Sequence, residues 1–219
     1  MSIGIHWEWR AFGTVSPRFR NTFLDLPVFY ERHHVKDEYL WIPGLVINAK
    51  FRTGAEDGLK FKRLKEKDGK LEKWEENPDE IFEFPLKPEA WHSLAQVLKD
   101  ADIKLPAYPS NSPGRTEMNE ILQQAGCEII TVKKTRESRL WNKVLIESAS
   151  ITEPQQVDSI GLENLPEEHA ALTDDEAKKA IRSAIENFHL EDESLRVMNY
   201  MEAIKLWSEG RNVSSVKRK

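Results

Sequence analysis

The feature that most constrains the fold is a strand pattern that recurs in three segments, with ionic and apolar side chains at alternate positions. In the first segment, Glu8 and Arg10 alternate with Trp7 and Trp9. Successive side chains of a β-strand point to opposite faces, so each segment presents a charged row opposite an apolar row. Such rows belong either to a sheet with one face in water or to a shared charged cavity. The three segments are residues 5–12, 47–52 and 59–62.

Further segments extend this pattern into an antiparallel meander. Lys67-Asp68-Gly69-Lys70 predicts a tight hairpin, since Asp-Gly supports a type I′ turn, and the returning strand carries Leu71 to Glu75. Strands are predicted at about 3–12, 39–42, 45–52 and 59–65, and later at 128–136, 141–151 and 158–163.

Amphipathic helices interrupt and follow the strands. They are predicted at 88–101, at 112–126, after a capping box formed by Thr173 and Glu176, and from about Asp192 onward. Each helix has an apolar stripe that must be buried, and the apolar rows of the strands are the obvious partner. Helices on the outer face would turn the charged rows inward, and closure of the sheet would remove its edges.

The predicted fold is therefore α+β: an antiparallel β-barrel forming a tunnel, with flanking helices and a C-terminal helical extension. We expect the barrel to span residues 1–165, with a helical insert at about 86–126. Residues 166–219 are expected to form C-terminal helices that pack on the barrel.

Composition limits the choice of partner and compartment. The formal net charge is −5, so the whole chain does not have the charge of a nucleic-acid-binding protein, and any basic site must be local. The single cysteine, Cys127, excludes an internal disulfide framework and fits a reducing compartment. No signal-like segment or membrane-length apolar run is present in the sequence, so we expect a cytoplasmic protein without a membrane partner. Nothing in the sequence indicates its oligomeric state.

The order of these features resembles the CYTH superfamily, also called the triphosphate tunnel metalloenzymes. The resemblance covers about residues 3–165: the first strand, a Lys-x-Arg strand, a Lys-x-Lys strand, a helical insert, a strand bearing Lys and Arg, and two late strands with a glutamate. The family's first-strand motif is Glu-x-Glu-x-Lys, and this chain has His6-x-Glu8-x-Arg10. The resemblance implies an eight-stranded barrel whose lumen binds triphosphate-containing substrates with a divalent metal ion.

The resemblance also implies roles for individual residues. Glu8 and Arg10 would be catalytic, and Glu8, Glu147 and Glu163 would hold Mg²⁺ or Mn²⁺. In the strand at 128–136, Lys134 and Arg136 share one face and Lys133 lies on the other, so which basic residue points inward stays open. The predicted substrate-binding side chains are those of Asn48, Lys50, Arg52, Lys60, Lys62, Lys134, Arg136 and Arg139.

Three functions fit these observations. The first is metal-dependent hydrolysis of a triphosphate-containing small molecule or polyphosphate, which would make the protein a triphosphatase, a phosphoric anhydride hydrolase. The alternative is a non-catalytic polyphosphate or nucleotide binding module on the same fold, because His6 stands where a metal ion would meet a carboxylate. The third is an antiparallel α+β interaction protein whose charged rows face solvent.

Overall fold

A computed structural model describes residues 4–44, 47–53, 58–99, 102–165 and 172–214. The predicted strand start at residue 45 and the beginning of the predicted C-terminal region, residues 166–171, lie outside these ranges. The strands are β1 (Gly4–Thr14), β2 (Val28–Trp41), β3 (Ile47–Thr53), β4 (Gly58–Asp68), β5 (Leu71–Phe82), β6 (Glu128–Trp141), β7 (Val144–Glu153), β8 (Val157–Asn164) and β9 (Ser194–Val197). The helices are α1 (Pro17–Leu24), α2 (Pro88–Lys99), α3 (Arg115–Gln124), α4 (Asp174–Asn187) and α5 (Tyr200–Ser208).

Eight antiparallel strands close into a barrel, as the sequence predicts. Around the barrel the order is β1, β5, β4, β3, β2, β6, β7 and β8, and β8 returns to β1. The closing strand β1 pairs on both sides: His6 lies opposite Trp74 of β5, and Arg10 lies opposite Gly161 of β8. Closure leaves these eight strands without a free edge over the paired length. The α+β barrel prediction is confirmed.

The outward rows of the strands are apolar and are covered by helices. On one side, Ala49, Phe51 and Phe61 pack beneath α2 and α3. On another side, Trp7 and Trp9 pack beneath α1 and α4. Because the apolar rows face outward, the ionic rows of β1, β3 and β4 face the lumen.

The predicted capping box fixes the start of α4. Thr173 accepts a hydrogen bond from the Glu176 backbone N–H, and the Glu176 carboxylate accepts one from the Thr173 backbone N–H. From there Ala177, Ile181 and Ala184 follow at helical spacing and are buried against the barrel. The local sequence and the tertiary contact therefore agree on where this helix begins and which face it buries.

The last helix begins later than predicted. Leu195 lies in β9, which pairs with the end of β1, and the helix begins at Tyr200 instead of near Asp192, with Asn199 as its cap. At this end of the barrel the inward-facing side chains are apolar, and α5 packs against them. They are Phe12, Tyr39, Val132 and Ile151, which cluster with Tyr200, Ile204 and Trp207. The barrel interior is therefore apolar at one end and ionic in the remainder.

Glu38 of β2 attaches the helical insert to the outside of the barrel. Its carboxylate accepts hydrogen bonds from Arg115 Nε at 3.0 Å and from Asn119 Nδ2 at 3.2 Å, both on α3. The Arg115 guanidinium also lies over the rings of Phe51 and Phe84. Burial of the carboxyl raises its pKa, but the hydrogen bonds from Lys36, Arg115 and Asn119 outweigh that effect and lower the pKa of Glu38 to about 2.

We expect Glu38→Gln to lower the free energy of unfolding by about 1–3 kcal/mol at pH 7, because charge-assisted hydrogen bonds to α3 are lost. A carboxyl whose pKa is lowered on folding stabilises the fold above its unfolded pKa, and that contribution is lost as the pH falls towards its folded pKa. The difference in the free energy of unfolding between wild type and variant should therefore narrow from about pH 5 towards pH 2. A series of urea unfolding experiments across this pH range measures the difference. A gap that stays constant across this range would contradict the account.

Candidate functional site in the barrel lumen

The ionic part of the barrel interior forms one cavity with a volume of about 130 Å³. Among the described residues that line it, seven side chains are cationic and four are carboxylates. The cationic ones are Arg10, Lys50, Arg52, Lys60, Lys62, Lys134 and Arg136, and the carboxylates are Glu8, Glu76, Glu147 and Glu163. Asn48, Trp74, Asn199 and Tyr200 also line the cavity.

One group of cations surrounds Asp37 of β2, which is fully buried. Arg52 donates to both carboxylate oxygens, from Nε at 2.8 Å and from Nη2 at 3.2 Å. Lys134 Nζ lies 3.6 Å and Lys50 Nζ 3.9 Å from Asp37 Oδ2. Lys134 also donates to the Tyr200 hydroxyl at 3.1 Å. Three cations therefore share this buried carboxylate.

The pKa values of Asp37 and Lys50 are both lowered, which favours the charged form of Asp37 and disfavours the charged form of Lys50. Burial raises the pKa of Asp37, but Lys50, Lys134 and Arg52 outweigh it and hold that pKa well below its usual range. Burial and the neighbouring Arg52 both lower the pKa of Lys50, and Asp37 offsets them only in part, so it lies well below the usual lysine value. The protein alone therefore does not fully compensate a positive charge on Lys50.

A second group is centred on Arg10. Its Nε donates to Glu8 Oε1 at 2.6 Å, its Nη1 donates to Glu147 Oε1 at 3.0 Å, and its Nη2 lies 3.6 Å from Glu163 Oε1. The three carboxylates predicted to hold a metal ion therefore all face one guanidinium. On the far side of these carboxylates, Lys62 Nζ donates to Glu8 Oε2 at 3.0 Å, and Arg136 Nη1 donates to Glu147 Oε2 at 2.9 Å.

These contacts keep the buried carboxylates ionised. Burial raises the pKa of Glu8, but Lys62 and Arg10 outweigh it, and the pKa lies well below the usual range. Burial likewise raises the pKa of Glu147, and Lys134, Arg10 and Arg136 bring it well below the usual range. Because each charge is paired, the cluster avoids the cost of an isolated buried ion.

The arrangement around Arg10 does not fit a divalent cation. Mg²⁺ needs oxygen ligands at about 2.0–2.1 Å, and the Glu8, Glu147 and Glu163 oxygens are turned towards nitrogen atoms. Within the described ranges, no group of three His, Cys, Asp or Glu side chains is placed to hold a metal ion. The metal-binding role of Glu8, Glu147 and Glu163 stays a prediction that would require Arg10 to move.

The structure places most of the predicted site residues in the lining of one cavity, and it settles which face of β6 points inward. Lys134 and Arg136 line the cavity, whereas the side chain of Lys133 is half exposed and pairs with Glu153. Arg139 is not part of the lining: its Nη1 donates to the carbonyl oxygens of Leu24 and Leu26 outside the barrel.

Sequence reasoning missed several residues of the lumen: the lining residues Glu76, Trp74 and Tyr200, and the buried countercharge Asp37. Asp37 and Glu76 lie in runs with charge at consecutive positions, which give no period-two signal. Tyr200 enters the lumen from the start of α5, and Trp74 lies under the Lys62 ammonium, whose Nζ is 5.8 Å from the ring centroid. The capping box at Asn199 and Glu202, visible in the sequence, could have located the start of α5.

Solved structures share this fold. A protein from Pyrococcus horikoshii matches with a TM-score of 0.54 and 16% identity, covering 90% of this chain and 98% of that one. A conserved hypothetical protein from Pyrococcus furiosus matches with a TM-score of 0.52 and 16% identity, covering 89% and 98%. The likeness shows the fold alone. A Vibrio parahaemolyticus protein described as a candidate adenylate cyclase has 14% identity, a TM-score of 0.47 and coverage of 91% and 98%, which is too distant to support an argument.

No protein-family model and no curated protein matches the chain. The barrel that the CYTH resemblance implies is confirmed, and membership of the superfamily stays a prediction. In the described part of the chain, no helix has the length and apolar character needed to cross a membrane.

Proposed function

We propose that the lumen binds a triphosphate-bearing small molecule or a short polyphosphate. The observation that carries this proposal is the excess of cations in one cavity: among the described residues, seven cationic side chains line it together with four carboxylates, and the buried Asp37 carboxylate lies beside three of them. Buried charges are costly unless they are paired, so an excess of one sign in a cavity favours a ligand of the other sign. An anion would supply the missing countercharge.

The distribution of the cations favours several linked phosphates over a single one. They project from β1, β3, β4 and β6, so they surround the cavity instead of converging on one point. A chain of phosphates offers oxygen atoms along its length and can reach several strands at once. Lysine and arginine both donate charge-assisted hydrogen bonds to phosphate oxygens.

Lys50 provides the first test of this proposal. Lys50→Met keeps most of the side-chain stem and removes the charge, and we expect it to weaken binding of inorganic triphosphate by about 10- to 100-fold, as for one charge-assisted hydrogen bond. The measurement is isothermal titration calorimetry. Lys65→Met is the matched control, because Lys65 lies on the neighbouring strand β4, half exposed and paired with Glu75. Equal affinities of the two variants would contradict the proposed site.

Hydrolysis with Mg²⁺ or Mn²⁺ remains a prediction of the resemblance. Phosphate release from triphosphate that requires the metal ion and is lost in Glu8→Gln would support it. Binding without phosphate release would favour the non-catalytic binding module.

A further inference from the structure

We propose that the Arg10 guanidinium takes the position of the divalent cation that the CYTH resemblance implies, so that this lumen binds its ligand without a metal ion. The part of this inference that concerns the ligand rests on the proposed function. The part that concerns the metal ion rests on Arg10 and its neighbours alone.

The guanidinium occupies the space between the three candidate metal ligands. Its three nitrogen atoms each face a different carboxylate, those of Glu8, Glu147 and Glu163, at 2.6, 3.0 and 3.6 Å. A guanidinium is planar, always charged and carries N–H donors at each nitrogen, so one group can bridge three carboxylates. Arg10 thereby performs the charge neutralisation that a metal ion would otherwise provide.

The second oxygen of each carboxylate also faces a nitrogen atom. Glu8 Oε2 accepts from Lys62, and Glu147 Oε2 accepts from Arg136. Glu163 Oε2 lies 3.7 Å from His6 Nε2, the side chain at the position where the family has its first glutamate. A divalent ion would have to displace these nitrogen groups and would meet the positive charges of Lys62 and Arg136 at close range.

Gly161 of β8 provides the space that the guanidinium occupies. It lies directly opposite Arg10 in the β1–β8 register. A Cβ at position 161 would come within 2.5 Å of Arg10 Nη2 and 2.7 Å of Arg10 Cζ. The Gly161 backbone does not have a left-handed φ, so the need for glycine here comes from the close approach of Arg10 and not from backbone conformation. The barrel wall is therefore shaped around the arginine.

Manganese binding in the absence of triphosphate tests the metal part directly, with free Mn²⁺ followed by electron paramagnetic resonance. We expect the wild type to show no stoichiometric Mn²⁺ site. Arg10→Gln leaves the carboxylates without their central cation and should bind Mn²⁺ at least about tenfold more tightly than wild type. Arg136→Gln is the matched control: it removes a guanidinium from Glu147 but leaves Arg10 in place, so no Mn²⁺ site should appear.

A stoichiometric, high-affinity Mn²⁺ site in the wild type would overturn the inference. The Mn²⁺ titration of the wild type therefore tests the inference even if Arg10→Gln does not fold in metal-free buffer. If the variant folds and gains no Mn²⁺ affinity over Arg136→Gln, the three carboxylates are not a latent metal site, and the inference also fails.

Triphosphate binding by the wild type, measured with EDTA and then with Mg²⁺, separates this inference from the proposed function. Equal affinity in both conditions supports metal-free binding. Binding that appears only with Mg²⁺ supports the proposed function and overturns the inference. No binding in either condition contradicts the proposed function, while the Mn²⁺ titration still tests the role of Arg10.

Discussion

Asp37→Asn is expected to lower the free energy of unfolding by about 3–5 kcal/mol, the range found when one partner of a buried ion pair is removed. The Asp37 carboxylate is fully buried and is the shared countercharge for Arg52, Lys134 and Lys50. Without it, three cations remain close together in a medium that screens them poorly. Urea unfolding of the two proteins at pH 7 measures the difference.

Asp68→Asn is the matched control for this prediction. Asp68 also contacts two cations, Lys178 Nζ at 3.3 Å and Arg182 Nη2 at 3.0 Å, but it lies on the protein surface. Water and salt screen such pairs, so this variant should lose much less stability than Asp37→Asn. Similar losses in the two variants would show that the Asp37 cluster is not the buried ionic centre described here.

Triphosphate should stabilise Asp37→Asn more than it stabilises wild type. Removal of the carboxylate increases the positive charge of the cavity, and a bound anion would then compensate a larger imbalance. Thermal melts of both proteins with and without triphosphate measure this difference. A smaller shift in the variant than in the wild type would contradict the assignment of this cluster to the ligand site.

Lys134→Met is expected to weaken triphosphate binding by about 10- to 100-fold, the cost of losing one charge-assisted hydrogen bond in a buried site. The Lys134 side chain is 2% exposed and lies between Asp37 and Tyr200. Lys133→Met is the matched control, because the two lysines are adjacent on β6 and point to opposite faces. The Lys133 side chain is 49% exposed, so its loss should leave the affinity nearly unchanged.

Calorimetric titration of triphosphate into the two variants separates a specific site from a general effect of net charge. Both substitutions remove one positive charge from β6, so long-range electrostatic attraction to the protein changes by a similar amount in each. A large loss confined to Lys134→Met would place the ligand in the lumen. Equal losses would indicate binding to the outer surface and would contradict the account.

The inward rows of β1, β3 and β4 could be predicted from the sequence because period-two alternation fixes which side chains share a face. Glu8 with Arg10, Lys50 with Arg52, and Lys60 with Lys62 all line the cavity, as the alternation requires. Closure of the barrel followed from the need to bury the apolar rows beneath helices. These inferences used only local pattern and a burial argument.

Other parts of the molecule gave no usable local signal. The first half of β2, from Val28 to His34, is largely exposed on both faces, so it shows no alternation and was not predicted as a strand. In β5, charged residues occupy both faces of the strand: Glu72, Lys73, Glu75 and Glu76. Alternation therefore could not show that Trp74 and Glu76 point inward. The position of α5 depends on contacts with strands far away in sequence, such as Phe12 with Tyr200.

The contact that bears most on function was also beyond sequence reasoning. Arg10 and Glu8 are two residues apart and share a face, but the convergence of Glu147 and Glu163 on Arg10 depends on the registers of β7, β8 and β1. The space at Gly161 exists only because that register sets a glycine opposite the arginine. A list of charged residues in the motif could not show that the arginine would lie among the carboxylates.

The most direct test of the central claim is a calorimetric titration of inorganic triphosphate into the wild-type protein, at physiological salt and with excess EDTA. The account predicts saturable binding at one site per chain and a rise in melting temperature in the same buffer. Absence of both the heat of binding and the melting shift, with and without added Mg²⁺, would contradict the claim that this lumen is a triphosphate site.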